Sequence, residues 1–293
     1  MKIGSVLVTF NPNLQKLEDN LVAVSKQVDR VLIIDNGSKN DEEIKELAGR
    51  LQRVDTVFLQ ENRGIAAAQN VGFEVLDKAD FDWVVTLDQD TWLPDETIKK
   101  YFDSKLLELK DTAIVGGNFI DKAQTSGNRL EYQEKKPFQV TKMIASGNLV
   151  RVSSWKLVNG FDEKLFIDFV DYDFNARLQL AGFKIWIVPD VIFEHEIGTA
   201  IKKPYLKKIL GFSADKKIMD HSPMRQFYLH RNMIVYWKRY PQFMTTRLPL
   251  FVRVFSLAWN TRVVFLYAPS KSKKMLAAWK GIFAGLLYKN YSK

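Results

Sequence analysis

The first 120 residues alternate short apolar runs with longer amphipathic stretches, and this alternation restricts the possible folds more than any other feature. The runs are rich in β-branched residues and end at turn residues, as buried parallel strands do: Ile3–Phe10, Val31–Asp35, Val57–Gln60, Trp83–Asp88 and Ala113–Asn118. The stretches between them have the length and apolar spacing of crossover helices: Leu14–Gln27, Asp41–Leu51, Gly64–Leu76 and Pro94–Leu109. The pattern predicts an α/β fold with a doubly wound, mostly parallel sheet, whose ligands bind at the carboxyl ends of the strands.

Charge is distributed unevenly along the chain. Residues 201–293 hold 19 Lys or Arg and two acidic residues, a net charge of +17, whereas the first 200 residues have a net charge of −8. An acidic region suits a divalent cation, and a basic region suits phosphates, anionic lipid or nucleic acid; a merely solvated basic tail is the alternative. The chain has no cysteine, which excludes disulfides, thiolate zinc sites and cysteine nucleophiles.

The ends of the first three predicted strands carry different turn sequences. The first strand ends in Thr9–Pro12, which lacks the glycine-rich turn of a dinucleotide fold and a phosphate-binding loop. The second ends in Asp35–Ser38, a turn that could receive a nucleobase or could be an ordinary turn. After the third strand, small residues in Asn62–Gly72 let the backbone approach a ligand, and Arg63 with helix-end amides can meet phosphate. Close packing of helix on sheet explains the same small residues.

The fourth predicted strand delivers Asp88-Gln89-Asp90 to its carboxyl end. Alternation along a strand would place Asp88 and Asp90 on the same face, where two carboxylates repel each other unless a cation is present. Oxygen ligands suit Mg²⁺ or Mn²⁺, which completes its shell with substrate phosphates and water. The sequence therefore predicts a metal and diphosphate site here, with capping of a helix near Pro94 as the alternative role of the aspartates.

An acidic helix start follows much later in the chain. Asp171–Arg177 is preceded by Gly160–Val170 and followed by Leu178–Gly198. With the early strand, the Asp-Asn-Gly-Ser turn, the Asn-x-Gly-x-Ala-x-x-x-Asn-x-Gly run and the Asp-x-Asp motif, the sequence over residues 3–240 resembles glycosyltransferase family 2. Within that family it resembles the bacterial rhamnosyltransferases of polysaccharide assembly. The resemblance implies a GT-A fold, which is Rossmann-like, with a helical basic C-terminal extension.

The resemblance also implies roles for individual residues. Thr9 and Asp35 are expected near the base, Asp88 near the ribose, and Asp90 at the metal and diphosphate. The full set expected to bind the nucleotide sugar in the strand-end loops is Thr9, Asn11, Asp35, Asn36, Arg63, Gly64, Asn70, Asp88 and Gln89. Asp171 is expected to be the general base. Many relatives carry Glu-Asp at this point, whereas this chain has Val170-Asp171, so Asp168 is the alternative base.

Two later segments extend the expected site. The family often places a His against metal or diphosphate where this chain has His195, although a lone His in an apolar stretch is usually structural. The segment His221–Asn232 resembles a segment of the rhamnosyltransferases, and Arg225 and Arg231 in it could bind donor phosphates or a lipid diphosphate. A helix that packs its aromatic residues on the core is the alternative.

The chemistry agrees with these roles. Attack of an acceptor hydroxyl on the anomeric carbon needs a base to take the proton and a cation to neutralise the departing diphosphate. If Asp171 takes the proton on one side while the cation at Asp90 neutralises the leaving group on the other, displacement is direct and the configuration inverts. A retaining mechanism would need a separate nucleophilic carboxylate beneath the sugar, and the sequence offers no separate candidate.

The C-terminal region is expected to lie on a surface rather than to span a membrane. Leu250–Pro269 is apolar over nearly the required length, but Arg253 and Arg262 interrupt it, each at a cost of roughly 2.5–3.5 kcal/mol at a bilayer centre. In the last predicted helix, apolar residues from Met275 to Leu287 recur at i, i+3 and i+4 with lysines around them. This pattern is typical of a helix at a membrane surface, and a homodimer or an intramolecular packing face is the alternative.

These observations predict a metal-dependent inverting glycosyltransferase with a GT-A domain over residues 1–200 and a helical region over 201–293. The expected donor is dTDP-rhamnose, with a UDP-hexose or galactofuranose donor as the alternative, and the expected acceptor is a lipid-linked saccharide of the cell wall, capsule or O-antigen. Met1–Val6 shows no secretion signal, so we expect the inner face of the cell membrane, at an anionic surface. An inactive scaffold, a nucleotidyltransferase and a nucleic-acid binder remain alternatives, and no nucleic-acid motif supports the last.

Overall fold

The computed structural model describes residues 1–121, 134–195, 220–267 and 269–289. The described strands form one eight-stranded sheet in the order β3-β2-β1-β4-β7-β5-β8-β6. They are β1 Ile3–Thr9, β2 Arg30–Asp35, β3 Val54–Phe58, β4 Trp83–Asp88, β5 Thr112–Asp121, β6 Phe138–Gln139, β7 Asn148–Arg151 and β8 Lys184–His195. The described helices are α1 Leu14–Ser25, α2 Asp41–Gly49, α3 Ile65–Lys78, α4 Thr97–Asp103, α5 Val152–Leu157, α6 Val170–Leu180, α7 Pro223–Arg239, α8 Leu250–Tyr267 and α9 Lys271–Leu287.

The half of the sheet made by β1 to β4 is parallel, as predicted. β1 lies between β2 and β4 and pairs parallel with both, and β3 pairs parallel with β2. Every residue of β1 is buried, because helices cover both faces of a parallel sheet. The carboxyl ends of these four strands therefore share one edge of the sheet, and the loops that follow them meet there.

The other half of the sheet is mixed, which the sequence did not predict. β7 is antiparallel to both β4 and β5 and separates them, and β6 is antiparallel to β8. β8 pairs parallel with β5, and the register jumps where Gly116 pairs with Ile187 but Asn118 pairs with Ile192. Pro189 lies in the extra residues of this bulge, where its missing N–H group removes no ladder hydrogen bond. β8 therefore continues through the bulge to His195.

Most predicted elements agree with the structure within about three residues, and two of the differences have a clear cause. The third strand begins at Val54 rather than Val57, because its pairing with β2 starts there. The helix predicted over Pro94–Leu109 is instead α4 followed by a 3₁₀ turn at Leu106–Glu108. Lys105 separates them with a φ of 61°, a left-handed conformation that ends a helix.

The chain divides into two compact units. The first contains Met1–Phe166 and Val170–His195, and the second contains Ile167–Phe169 and Glu196–Lys293. In the second unit α9 packs against α7 where two glycines remove side chains. A Cβ on Gly285 would lie 2.9 Å from both the carbonyl oxygen of Arg231 and the Cβ of Ile234, and Gly281 is closer still to the backbone of Phe227. Within the described residues, no helix is both long and apolar enough to cross a membrane.

Candidate active site

The turn after β2 is organised by the carboxylate of Asp35, which is 1% exposed. One oxygen accepts hydrogen bonds from the hydroxyls of Thr9, at 2.9 Å, and Ser38. The other accepts from the backbone N–H groups of Gly37, at 3.2 Å, and Ser38, at 2.9 Å. Both oxygens are therefore used within the protein, and the contact of Asp35 with a nucleobase stays a prediction.

Hydrogen bonds join the turn after β2 to the loops after β1 and β3. The Asn11 side chain accepts from the backbone N–H of Lys39 at 2.9 Å, and the Asn36 side chain accepts from that of Arg63 at 2.9 Å. The Asn36 amide also donates to Asn62 at 3.2 Å. Asn11 and Asn36 thus fix the backbone of adjacent loops, whatever else they contact.

The loop after β3 presents Arg63 to solvent. Its guanidinium has no hydrogen bond or ion pair with the described residues, and its side chain is exposed, so it is available to an anionic ligand. Gly64 follows with a φ of 85°, and a Cβ there would lie 2.6 Å from the carbonyl oxygen of Phe166. The Ile65 N–H donates to the same oxygen at 2.8 Å. Gly64 is therefore required for close approach to the segment that leads into α6.

The Asp-x-Asp motif lies where β4 ends. Asp88 is the last strand residue and is half-buried, whereas Asp90 is exposed in a turn closed by the Thr91 N–H bonding to the Asp88 carbonyl at 3.1 Å. The direction of Asp90 is therefore set by this turn rather than by strand alternation. The Gln89 side-chain oxygen accepts from the Phe10 N–H at 2.8 Å, which joins this turn to the loop after β1.

The carboxylates of Asp88 and Asp90 offer the oxygen ligands that Mg²⁺ and Mn²⁺ prefer. No group of three or more His, Asp or Glu side chains in the described ranges could hold a metal ion by itself. Mg²⁺ commonly takes one or two carboxylates from the protein and completes its shell with substrate phosphates and water. Asp88 and Asp90 are enough to supply those protein ligands. His195 ends β8, which runs parallel to β5, but its side chain lies outside the described residues.

The start of α6 carries two acidic residues with different surroundings. Asp173 is 1% exposed and pairs with Arg177 at 2.8 Å, and the Arg177 guanidinium also donates to the carbonyls of Val158 and Gly160 at 2.6 Å. Asp171 is half-buried and accepts from the Tyr172 N–H at 2.9 Å. Burial, and then the charge of Asp171, raise the pKa of Tyr172 above its usual range. Asp173 is buried and paired with Arg177, so Asp171 is the better candidate base of the two.

The alternative base, Asp168, belongs to the second unit and has a cationic partner there. Its carboxylate accepts from both Nε and Nη2 of Arg225, at 3.2 and 3.0 Å, and its side chain is 13% exposed. The fully buried Asn232 donates to the carbonyls of Ile167 and Asp168 at 2.8 and 2.9 Å. Arg225 thus engages both oxygens of the Asp168 carboxylate, and Asp171 remains the first candidate for the base. The role of Arg225 as a phosphate ligand stays a prediction.

Two other expected binding residues have contacts inside the protein. Asn70 is 8% exposed, and its side-chain amide makes four hydrogen bonds to Trp155, Phe161 and Glu163. These contacts indicate that Asn70 positions the residues around it. Arg231 lies over the ring of Tyr228 at 4.6 Å and donates to Asn232 at 2.8 Å.

Sequence reasoning missed Ser146, which supports the end of β4. Its hydroxyl accepts from the Asp88 N–H at 3.0 Å and donates to the Thr91 hydroxyl at 2.8 Å, and the side chain is 3% exposed. Ser146 therefore holds both ends of the Asp-x-Asp turn. A possible signal was the Ser146-Gly147 pair directly before β7, but β7 has four residues and is too short to be recognised from periodicity.

The fold and the strand-end carboxylates define a class of protein that the family comparison confirms. The model of glycosyl transferase family 2 matches residues 5–159, so the chain belongs to this family and is a glycosyltransferase with the GT-A fold. A curated relative is the dTDP-rhamnosyl transferase RfbF of Shigella flexneri, which is 28% identical over 279 residues, 89% of this chain and 88% of that protein.

Solved structures show the same fold at low identity. TarS of S. aureus has a TM-score of 0.55 and 16% identity over 90% of this chain, which spans 44% of the TarS chain. GalNAc-T7, solved with UDP, GalNAc and Mn²⁺, has a TM-score of 0.61 and 12% identity over 89% of this chain, which spans 51% of that chain. At these identities the likeness concerns the fold alone.

Proposed function

We propose that this glycosyltransferase moves L-rhamnose from dTDP-rhamnose to a lipid-linked saccharide or a growing surface polysaccharide, with inversion and with Mg²⁺ or Mn²⁺. The observation that carries the proposal is the joined set of loops after β1, β2 and β4, where Asp35, Asp88 and Asp90 meet one edge of the sheet. The choice of donor is supported by 28% identity to a dTDP-rhamnosyl transferase over nearly the whole length of both chains.

The chain supplies a base and an anionic edge for this reaction. Asp171 takes the proton of the acceptor hydroxyl as its oxygen attacks the anomeric carbon and the bond to the diphosphate breaks. Asp90 would hold a divalent cation that would neutralise charge on the departing diphosphate, and Asp88 beside it would lie near the ribose. Arg63, exposed beside the amino end of α3, adds positive charge for the phosphates. Because base and leaving group act on opposite sides, no covalent glycosyl intermediate is needed.

A UDP-linked hexose or galactofuranose is the alternative donor. GalNAc-T7 shares the fold and was solved with UDP and GalNAc, which keeps a uridine donor open for this chain. One carboxylate near the base does not distinguish thymine from uracil. The ribose does differ, since the thymidine donor lacks the 2′-hydroxyl of the uridine donor.

The acceptor sets the place of action. A lipid-linked saccharide presents its reacting end at a membrane surface, so the enzyme would work as a peripheral protein on the anionic inner face of the membrane. The net charge of +17 over residues 201–293 favours that surface.

A donor-hydrolysis screen tests the proposal. The full chain is incubated with dTDP-rhamnose, UDP-glucose, UDP-N-acetylglucosamine and UDP-galactofuranose, each with Mg²⁺, with Mn²⁺ and with chelator, and release of the nucleoside diphosphate is measured. We expect the fastest release from dTDP-rhamnose, and only with metal. If a UDP-sugar is hydrolysed faster than dTDP-rhamnose, the proposed donor is wrong. If release is equally fast with chelator, the proposed metal dependence is wrong.

A further inference from the structure

Helix α9 has one buried face, and that face packs on α7. Its buried residues recur at helical spacing and are Lys274, Ala278, Gly281, Ile282 and Gly285. Lys238 of α7 fixes the end of α9 by donating to the carbonyl oxygens of Leu286 and Tyr288 at 3.0 and 2.6 Å. The orientation of α9 on α7 is therefore set, and with it the face that α9 turns outward.

The outward face of α9 is apolar, and the adjoining helix α8 has a matching face. On α9, Leu276 is 57% exposed and Phe283 is 64% exposed. On α8, Phe251, Phe255 and Trp259 recur every four residues and are 74, 71 and 61% exposed. An apolar groove of about 550 Å³ lies between the two helices and is lined by residues of both. A contiguous apolar surface of this kind marks an interaction site.

Basic residues lie within this surface rather than opposite it. Lys273 and Lys280 are exposed and precede Leu276 and Phe283 by three residues each, so they lie on the same face of α9. Helices α8 and α9 together carry six Lys or Arg, and no Asp or Glu follows Asp220 anywhere in the sequence. The surface is thus both apolar and positively charged.

We infer that this face of α8 and α9, which we call the basic apolar face, docks on a bilayer that contains anionic lipid. The aromatic and leucine side chains would enter the interface, while the lysines reach the headgroups with their long side chains. A second copy of the chain fits less well, because it would bring Lys273 and Lys280 against like charges and a region of +17 against another. The inference deepens the proposed function, on which it rests for the location of the acceptor.

Vesicle flotation of the full chain tests the inference. The vesicles are phosphatidylcholine alone or with about 30% phosphatidylglycerol, at low and high salt. We expect binding to the anionic vesicles that salt weakens. Phe255→Glu and Phe283→Glu should each lower binding about tenfold or more, because a large apolar side chain that would enter the bilayer interface is lost. Lys273→Gln with Lys280→Gln should lower binding to anionic vesicles about thirtyfold while leaving the apolar residues in place.

The matched control is Leu157→Glu, because Leu157 is 62% exposed at the end of α5 in the first unit. It should bind vesicles as the wild type does. Equal binding by the Phe255, Phe283 and lysine variants would overturn the inference. A dimer in solution that light scattering detects and that Phe283→Glu disrupts would also overturn it, because a second copy of the chain would then cover the basic apolar face.

Donor hydrolysis without vesicles separates this inference from the proposed function. The face variants should release nucleoside diphosphate at the wild-type rate, since their residues lie in the second unit and outside the strand-end loops. A wild type that binds anionic vesicles but hydrolyses no donor would fail the proposed function alone. A wild type that hydrolyses donor but ignores the vesicles would overturn the docking inference and the membrane location, and would leave the proposed donor, metal and base standing.

Discussion

Asn70→Ala tests whether Asn70 binds the donor, as the family resemblance implies, or holds the protein together. The Asn70 oxygen accepts from the Phe161 N–H at 2.8 Å and from the Trp155 ring N–H at 3.2 Å. Its amide nitrogen donates to the Phe161 carbonyl at 2.9 Å and to Glu163 at 3.0 Å. Gly160 has no side chain where a Cβ would lie 2.6 Å from the Asn70 oxygen, so the neighbouring segment is fitted around this amide.

The expected loss of stability follows from these four hydrogen bonds. Each contributes about 1 kcal/mol net, and the Ala variant leaves buried groups of Phe161 and Trp155 without a partner, so we expect a loss of about 3–5 kcal/mol. The matched control is Asn175→Ala, because Asn175 is 2% exposed and its amide makes one hydrogen bond, to the Met143 carbonyl at 2.7 Å. The control should lose about 1–2 kcal/mol.

Urea unfolding of both variants, followed by calorimetry with the nucleoside diphosphate, measures the difference. The reasoning predicts that Asn70→Ala loses clearly more stability than Asn175→Ala. If Asn70→Ala unfolds like the control or the wild type while its affinity for the nucleotide falls tenfold or more, Asn70 is a donor contact and the structural interpretation is wrong.

Three further predictions concern the metal, pH and helix packing. Asp90→Asn should abolish metal-dependent binding of the nucleoside diphosphate, because a neutral amide is a poor substitute for a hard anionic ligand; unchanged affinity in calorimetry would remove Asp90 from the site. Burial lowers the pKa of His230 below its usual 6.5, so the unfolded chain binds the proton more readily. The contribution of His230 to stability should therefore be fully present above about pH 6.5 and be lost below it, at no more than about 1.4 kcal/mol per pH unit, so the slope should be shallower in His230→Gln. Gly281→Ala should cost about 1–2 kcal/mol of stability, because the new Cβ would meet the Phe227 carbonyl. The control Gly49→Ala should be neutral or stabilising, because no atom lies within 4 Å of a Cβ there. Equal melting temperatures of the two variants would contradict this prediction.

The sequence predicted the parallel half of the sheet because its signals are local. β1, β2 and β4 are continuous apolar runs buried on both faces, and their bounds agree with the predictions within a residue or so. β7 was missed because four residues carry no periodicity, and its place between β4 and β5 depends on pairing with residues far along the chain. The break at Lys105 was missed because a left-handed conformation is unusual for a lysine.

The candidate site was predictable in its position but not in its contacts. Strand ends located the carboxylates, because ligands bind at the carboxyl ends of parallel strands. The contacts of Asn11 with Lys39 and of Gln89 with Phe10 join loops that are distant in sequence, so no local pattern reveals them. Asn70 shows the same limit, because a polar residue in a small-residue run fits a ligand contact and a structural contact equally well.

Turnover of dTDP-rhamnose by Asp171→Asn, at saturating donor and metal, tests the central claim most directly. The account predicts that the wild type releases dTDP, that the variant does so about 10²-fold or more slowly, and that both bind the donor with similar affinity, because only the proton acceptor is lost. A variant with wild-type turnover, or a wild type that leaves dTDP-rhamnose intact while consuming a UDP-sugar, would contradict it.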